Sequence, residues 1–400
     1  MRVLYLTVLE NTEKNYIHEN QILSLNSSDI EYKFLFISPL FILNRTHCKV
    51  NRNKFLKKNN CCEVKIPILS FHFFLHIVLI PYVLLWAIPI LIYQVVKYKP
   101  QILHCRNLIS IFVAVILRKF FCFKFSIVAD PRSVYPEEGV IIKRWKYNQF
   151  NYKVWKKIEK WSFKYSDVCL GLSPYFADYL SRYNKNSLYI PAVVAESKKY
   201  NDDDRIFIRN KYEVKENELV VIYVGSIGLW HDIDMLIEIV EKVSIANQGN
   251  IKVIALSGST ELKLKLLSHF KDKCLYCGSV PPQEVERYLL MADFGILPGS
   301  VNYNEEYDLL YKTMIASKAE EYLCAGLPII VNDRIINLKT YVEEYRWGEV
   351  YNVDTHNLEK SQIQVYSTEN RKRISKEAIN IFGLENVKKQ LFRVYQQLLK

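Results

Sequence analysis

Several short signatures of function are missing from this 400-residue sequence. There is no G-x-G-x-x-G and no G-x-x-x-x-G-K-[ST], which argues against a standard dinucleotide or P-loop site. There is no arginine-rich tract, zinc-finger spacing or aromatic RNA-binding motif, so nucleic acid is not an expected partner. No group of His, Cys, Asp and Glu stands at metal-ligand spacing, and no metal or other cofactor is expected. Glycine (12) and proline (13) are modest while 50% of residues are hydrophobic, the composition of a folded chain rather than a disordered one. The nine cysteines are scattered. Cys61 and Cys62 are adjacent, and Cys274-x-x-Cys277 has no second pair near it. Reduced cysteines packed as small apolar residues are the expectation. The opening MRVLYLT runs straight into a β-prone segment with no secretory pattern, so a cytoplasmic, reducing compartment is expected.

Charge is missing in one place and unbalanced in another. From Phe71 to Val96 no Asp, Glu, Lys or Arg occurs. That length would suit a membrane span. Pro81 and Pro89 weaken this reading, and strand-like runs on both sides (VLYLT and YKFLFI before, ILHC and SIVAD after) weaken it further. A buried layer on a sheet is one alternative. A helix resting in the membrane interface is the sharper one, with Tyr82, Trp86 and Tyr93 at headgroup level and Lys97 and Lys99 toward anionic lipid. Residues 1–195 hold 27 Lys and Arg against 12 Asp and Glu, and the remainder 27 against 30. A basic half beside a near-neutral one suggests that the first half faces an anionic surface.

What is present alternates. VLYLT, the helix-spaced IHENQILSL, YKFLFI, the apolar stretch, ILHC, IFVAVILRKF and SIVAD follow one another. A long helix over roughly 147–166 and VCLGLS come next, and Ser173-Pro174 opens another helix as N-cap and first residue. Alternating β and α segments imply a parallel sheet covered on both faces. ESKKYNDDDR (196–205) reads as a polar linker, after which the alternation restarts. The expected fold is α/β, two Rossmann-like, doubly wound parallel-sheet domains facing a central cleft. Their expected bounds are 1–195 and 196–383. A helix over 384–400 is expected to close the chain.

Three strands of the second half end in small residues: Gly225-Ser226, LSGST at 256–260 and YCGSV at 276–280. Glycine there permits close backbone approach, and a following helix start offers N–H groups to an anion. Together they suggest a nucleotide or sugar-phosphate site. SKAEEYLCAG at 317–326 reads partly as helix punctuation. Ser317 and Glu320 fit a capping box, and Gly326 with Pro328 fits a stop. Lys318 and Glu321 remain, three apart on one face. They form either a surface ion pair or a pair for phosphate and sugar hydroxyls.

YVGSIGLWHDIDMLI, CGSVPPQEVERYLLMADFGILP and SKAEEYLCAGLPIIV resemble the nucleotide-sugar domain of retaining GT-B glycosyltransferases of the group 1, family four type. ILHCR and SIVADPRSVYPEE resemble the family's earlier strand ends, and FGLENVKKQLFRVYQQLL its last segment, which usually crosses back to the first domain. The resemblance implies that Glu321 is the second glutamate of an E-x7-E pattern and binds the donor ribose. Thr313 stands where the first would be. It implies that Lys318 lies near the diphosphate, while Ser226 and His231 replace the usual arginine and lysine. Ser259 lies in the second small-residue strand end, and Val280 where the backbone meets the base, so donor-binding residues are Gly225, Ser226, His231, Ser259, Val280, Lys318 and Glu321. The resemblance implies that Asp130 and Arg132 face the donor sugar and that, with Lys318, they are the catalytic candidates. His104 and Arg106 end the preceding strand, His104 being equally readable as structural.

The implied activity is that of a retaining, hexosyltransferase-type enzyme. It uses a nucleoside-diphosphate sugar and a lipid-linked oligosaccharide acceptor in bacterial surface-polysaccharide assembly of the capsule or O-antigen kind. Its expected place is the inner face of the cell membrane. The alternatives are a GT-B nucleotide-sugar epimerase and a membrane-associated GT-B subunit without catalysis.

Overall fold

A computed structural model describes residues 1–10, 30–41, 60–68, 79–194, 200–228, 231–300, 305–359, 363 and 365–400. Two compact units divide the chain, one of Met1–Ala195 with Val387–Lys400 and one of Glu196–Asn386. The helix-spaced IHENQILSL, residues 71–78 of the apolar stretch and residues 196–199 lie outside the described residues.

The first unit is built on strands β1 (Arg2–Val8), β2 (Glu31–Phe41), β3 (Cys61–Ile68), β4 (Ile102–Arg106), β5 (Ser126–Asp130), β6 (Val168–Gly171) and β7 (Ser187–Tyr189). They pair in parallel in the order β3-β2-β1-β4-β5-β6-β7. Both faces of the inner strands are covered, which is why VLYLT and SIVAD read as near-continuous apolar runs. Helices α1 (Leu79–Tyr98), α2 (Leu108–Phe120), α3 (Tyr135–Ile141), α4 (Phe150–Lys164) and α5 (Pro174–Ser181) connect the strands. Ser173 caps α5 by accepting from the Phe176 N–H, with Pro174 as first helical residue, as the sequence predicts. Steps β3→β4, β4→β5 and β5→β6 run the same way along the sheet, so right-handed crossovers place α1, α2 and α4 on one face. Helix α1 packs on α2 and α2 on α4.

The second unit repeats the plan. Strands β8 (Leu219–Val224), β9 (Ile251–Leu256), β10 (Cys274–Tyr276), β11 (Phe294–Leu297), β12 (Ile329–Asn332), β13 (Gly348–Asn352) and β14 (Asn357–Leu358) lie in the order β10-β9-β8-β11-β12-β13-β14. Only the β13–β14 pair is antiparallel among those described. The expected linker over 196–205 is corrected in part. Helix α6 (Asp202–Lys211) begins inside it, with Asn201 as N-cap accepting from the Asp203 N–H. Asp202, Asp203 and Asp204 sit in the first turn, where carboxylates meet the positive helix end, so a run that reads as solvated is a helix start. Helices α7 (Ile233–Ala246), α8 (Thr260–Phe270), α9 (Pro282–Met291), α10 (Glu305–Thr313), α11 (Ser317–Cys324), α12 (Ile336–Tyr345) and α13 (Thr368–Phe382) follow. The last helix, α14 (Leu384–Gln397), lays Val387, Leu391, Val394 and Tyr395 into the core of the first unit against Tyr5 and Phe34.

In both sheets the strand order reverses beside the first strand, between β1 and β4 and between β8 and β11. Parallel sheets open a crevice at the C-terminal ends of such strands. Most of the predicted site residues lie at or beside these two places.

Candidate functional site

In the second unit the crevice follows from where strand pairing stops. Strands β8 and β11 pair at Val221–Phe294 and Ile222–Gly295, the last described pair. Two residues further the Val224 N–H donates instead to the Tyr322 hydroxyl, at 2.8 Å. Tyr322 belongs to α11 and is fully buried. Its ring lies so close to β11 that a Cβ on Gly295 would stand 2.2 Å from it. Glycine at 295 and the Tyr322 hydroxyl therefore fix α11 over the switch point.

Helix α11 carries Lys318 and Glu321. Lys318 Nζ lies 3.1 Å from Glu321 Oε2, with side chains 22% and 24% exposed. Of the two readings open for this pair, the ion pair is the arrangement present. The expected capping box is corrected. Ser317 is the first residue of the helix, Ala316 is the N-cap, and no side chain bonds across the cap. Glu320 is buried inside the unit instead. The helix does stop as predicted, with Gly326 at φ 72°. A Cβ there would also meet the Arg371 carbonyl at 2.7 Å.

Gly225 ends β8 at φ 142°, a conformation reserved for glycine. The Ser226 carbonyl accepts from the Tyr223 hydroxyl at 2.8 Å. Gly228 and His231 exchange backbone hydrogen bonds, which turns the chain back toward α7. Burial, helped by the charge of Lys318, pulls the His231 imidazole down to about 4, so the ring is neutral at pH 7. It does not replace the charge of the lysine expected there. Its Nδ1 is buried and has no hydrogen-bond partner among the described residues. Ser259 spends its hydroxyl oxygen as the N-cap of α8, accepting from the Leu262 N–H. Val280 follows β10, at the outer end of the same row of strand ends. Thr313 is buried and donates its hydroxyl to the Leu309 and Leu310 carbonyls of its own helix. Lys318, Glu321 and His231 are thus together, while Ser259 and Val280 stand along the edge at β9 and β10.

In the first unit, His104, Arg106 and Asp130 end β4 and β5. Arg106 reaches Glu10, just beyond β1, at 3.1 Å, which bridges the switch point. Asp130 Oδ2 is 2.8 Å from Arg132 and 3.3 Å from His104 Nε2. Despite burial, these neighbours hold the Asp130 carboxyl below the usual carboxylate range. Burial lowers His104 and keeps it neutral. An ionised Asp130 can only accept, so Nε2 carries the ring proton. Nδ1 then accepts from the Tyr395 hydroxyl at 2.6 Å. The order is Tyr395, His104, Asp130, Arg132. His104 is fully buried with both nitrogens engaged, the arrangement of a satisfied structural histidine. Arg132 sits at φ 67°, unusual for a side chain of its size, and its Nε has no partner among the described residues. Tyr395 and Glu10 carry no sequence signal for this place, because Tyr395 lies 291 residues from His104.

Comparison with known proteins now gives a class. The family model described as Glycosyl transferases group 1 matches residues 204–380, within the second unit. Solved GT-B structures match over the whole chain at low identity, which identifies the fold. Together these define GT-B architecture with a second unit whose residues 204–380 match the group 1 glycosyl transferase model. Sucrose-phosphate synthase from Thermosynechococcus elongatus is 14% identical, with TM-score 0.66, covering 100% of this chain and 99% of its own. Anabaena HepE in complex with UDP and glucose is 11% identical, with TM-score 0.61, covering 99% of each chain. WaaG, a glycosyltransferase involved in lipopolysaccharide biosynthesis, is 13% identical, with TM-score 0.56, covering 97% of this chain and 94% of its own. No curated protein matches the sequence.

Proposed function

We propose that this protein transfers a sugar from a nucleoside-diphosphate sugar to a lipid-linked saccharide acceptor, with retention of configuration, in bacterial cell-surface polysaccharide assembly. It works without a metal, at the inner face of the cell membrane. The observation that carries this reading is Lys318, Glu321 and His231 gathered at the β8/β11 switch point, inside the matched region 204–380. The relative HepE, solved with UDP and glucose, adds support for the donor class. In the reaction the bond between the anomeric carbon and the diphosphate breaks. The acceptor oxygen bonds to that carbon on the same face, and its proton passes to the departing phosphate oxygen. Lys318 and the N-terminal end of α11, which no side chain caps, meet the growing negative charge. Glu321 accepts from the ribose hydroxyls.

The test is transfer by purified protein across a panel of nucleotide sugars and lipid-linked acceptors, beside calorimetry with uridine and guanosine diphosphates. Transfer with retention is expected, and Glu321→Ala should weaken diphosphate binding roughly ten- to a hundredfold. No transfer with any pair, together with unchanged binding in Glu321→Ala, sinks the proposal. One observation favours a second reading, a GT-B subunit without catalysis: Thr313 holds the position of the first glutamate and turns its hydroxyl into its own helix. Such a subunit should bind neither diphosphate.

A further inference from the structure

Helix α1 shows apolar side chains to both of its sides. Val83, Ala87, Leu91 and Val95 recur every four residues and are buried. The outward positions are Leu85, Trp86, Tyr93 and Val96, exposed by 70%, 42%, 59% and 56%. A helix facing water ordinarily turns charged residues outward. Here the first charge is Lys97, in the last turn. The helix is long and apolar enough to cross a bilayer. It cannot do so in this fold, because it joins β3 to β4 and both lie in one sheet.

Its neighbours on the same face extend the pattern. Helix α2, packed on α1, contains no acidic residue and ends in exposed Lys119, Phe120 and Phe121. Helix α4, packed on α2, exposes Lys153, Lys157, Lys160 and Lys164. These are spaced i, i+4, i+7 and i+11, one outward stripe. The one acid in α4, Glu159, is 1% exposed and held inside by Lys156 and Tyr179. The face is therefore apolar at α1, mixed at the tip of α2, and cationic along α4.

We propose that this face of the first unit is its membrane-docking surface. Helix α1 lies in the interface of an anionic phospholipid bilayer, and the α4 lysines lie over the headgroups. Apolar area flanked by lysine is the chemistry of such a surface. A second copy fits poorly, since the three helices of this face expose no acid to pair with a partner's lysine stripe. The inference deepens the membrane part of the proposed function. Its test needs no turnover, so either can fail while the other stands.

Co-sedimentation of the full chain with vesicles decides it. One set is phosphatidylcholine alone, and the other has one third replaced by phosphatidylglycerol. Binding to the anionic set that falls as salt rises is expected. Lys157→Gln with Lys160→Gln should weaken it about 30-fold, at roughly fivefold per lysine. Leu85→Ser with Trp86→Ser should weaken it more than about tenfold even at low salt. Circular dichroism and thermal melting confirm that these surface variants keep their fold. Equal binding to both vesicle sets, or unchanged binding in either double variant, overturns the proposal. So does light scattering that shows a dimer which the Leu85 and Trp86 pair dissolves.

Discussion

Replacing Tyr322 by phenylalanine removes one oxygen from the junction on which the second unit's site stands. Pairing of β8 with β11 is described no further than Ile222–Gly295, and the Val224 N–H beyond it donates to the Tyr322 hydroxyl. Phenylalanine keeps the ring, so no cavity opens. What is lost is the acceptor for a buried amide, at a cost of about 1–3 kcal/mol. Gly295→Ala attacks the same anchor from the strand side. Its Cβ would stand 2.2 Å from the Tyr322 ring, which is fully buried and must shift, an overpacking cost of about 1–3 kcal/mol. Because both act on one contact, the double variant should lose less than the sum of the singles. Urea unfolding followed by circular dichroism measures the cost. Hydrogen exchange at the Val224 amide reads the bond itself, and Tyr322→Phe should lower its protection. Gly295→Ala, which displaces the helix carrying Lys318 and Glu321, should weaken nucleoside-diphosphate binding more than Tyr322→Phe does. A Tyr322→Phe protein within about 0.5 kcal/mol of the parent, with Val224 equally protected, would refute the reasoning.

Two further outcomes are expected. Gly326→Ala should destabilise the second unit by about 1–3 kcal/mol in the same unfolding assay, because φ 72° and the Arg371 carbonyl 2.7 Å away both oppose a Cβ. Glu159→Gln should flatten the dependence of thermal stability on pH between 5 and 8. Burial pushes the Glu159 carboxyl up to about 7 against the opposing pull of Lys156. A folded value above the unfolded one means that this contribution is fully present below about pH 4.5 and is lost as pH rises through 7. An unchanged difference between melts at pH 5 and pH 8 would show that Glu159 is not the group responsible.

The strands were readable because their chemistry is local. VLYLT, ILHC and SIVAD are covered on both faces, and continuous apolar runs follow from that. Ser173-Pro174 and Gly326 were readable for a similar reason, since a cap and a left-handed residue each depend on a few neighbours. Charge misled in two places. The aspartates at 202–204 looked like linker, yet they favour the first turn of a helix. The S-x-x-E at 317 matched a capping box, but the helix already includes Ser317 and the buried Glu320 sits inside the unit. Long-range partners left no trace. Nothing local in FRVYQQLL says that Tyr395 fixes the tautomer of His104, or that Glu10 meets Arg106 across the switch point. The apolar stretch suggested an interfacial helix but not which of its residues face outward. Its outward face is visible only once β3 and β4 are known to share a sheet.

The second unit's site has little net positive charge to offer a diphosphate from the residues named for that purpose. Ser226 brings none, burial keeps His231 neutral, and Lys318 shares its charge with Glu321 at 3.1 Å. This makes the sign of the Glu321 result informative. If Glu321 served only to hold Lys318, its removal would release that charge and diphosphate would bind more tightly. If it accepts from ribose hydroxyls, its loss removes charge-assisted hydrogen bonds and binding weakens. The proposed function requires the second outcome. It also requires that the pair part when donor binds, Lys318 turning to phosphate while Glu321 turns to sugar. The start of α11 suits that exchange, because its N-cap, Ala316, has no side-chain oxygen to compete with an anion for the first-turn amides. A side-chain cap, the arrangement that the sequence pattern predicted, would have closed that end to the ligand.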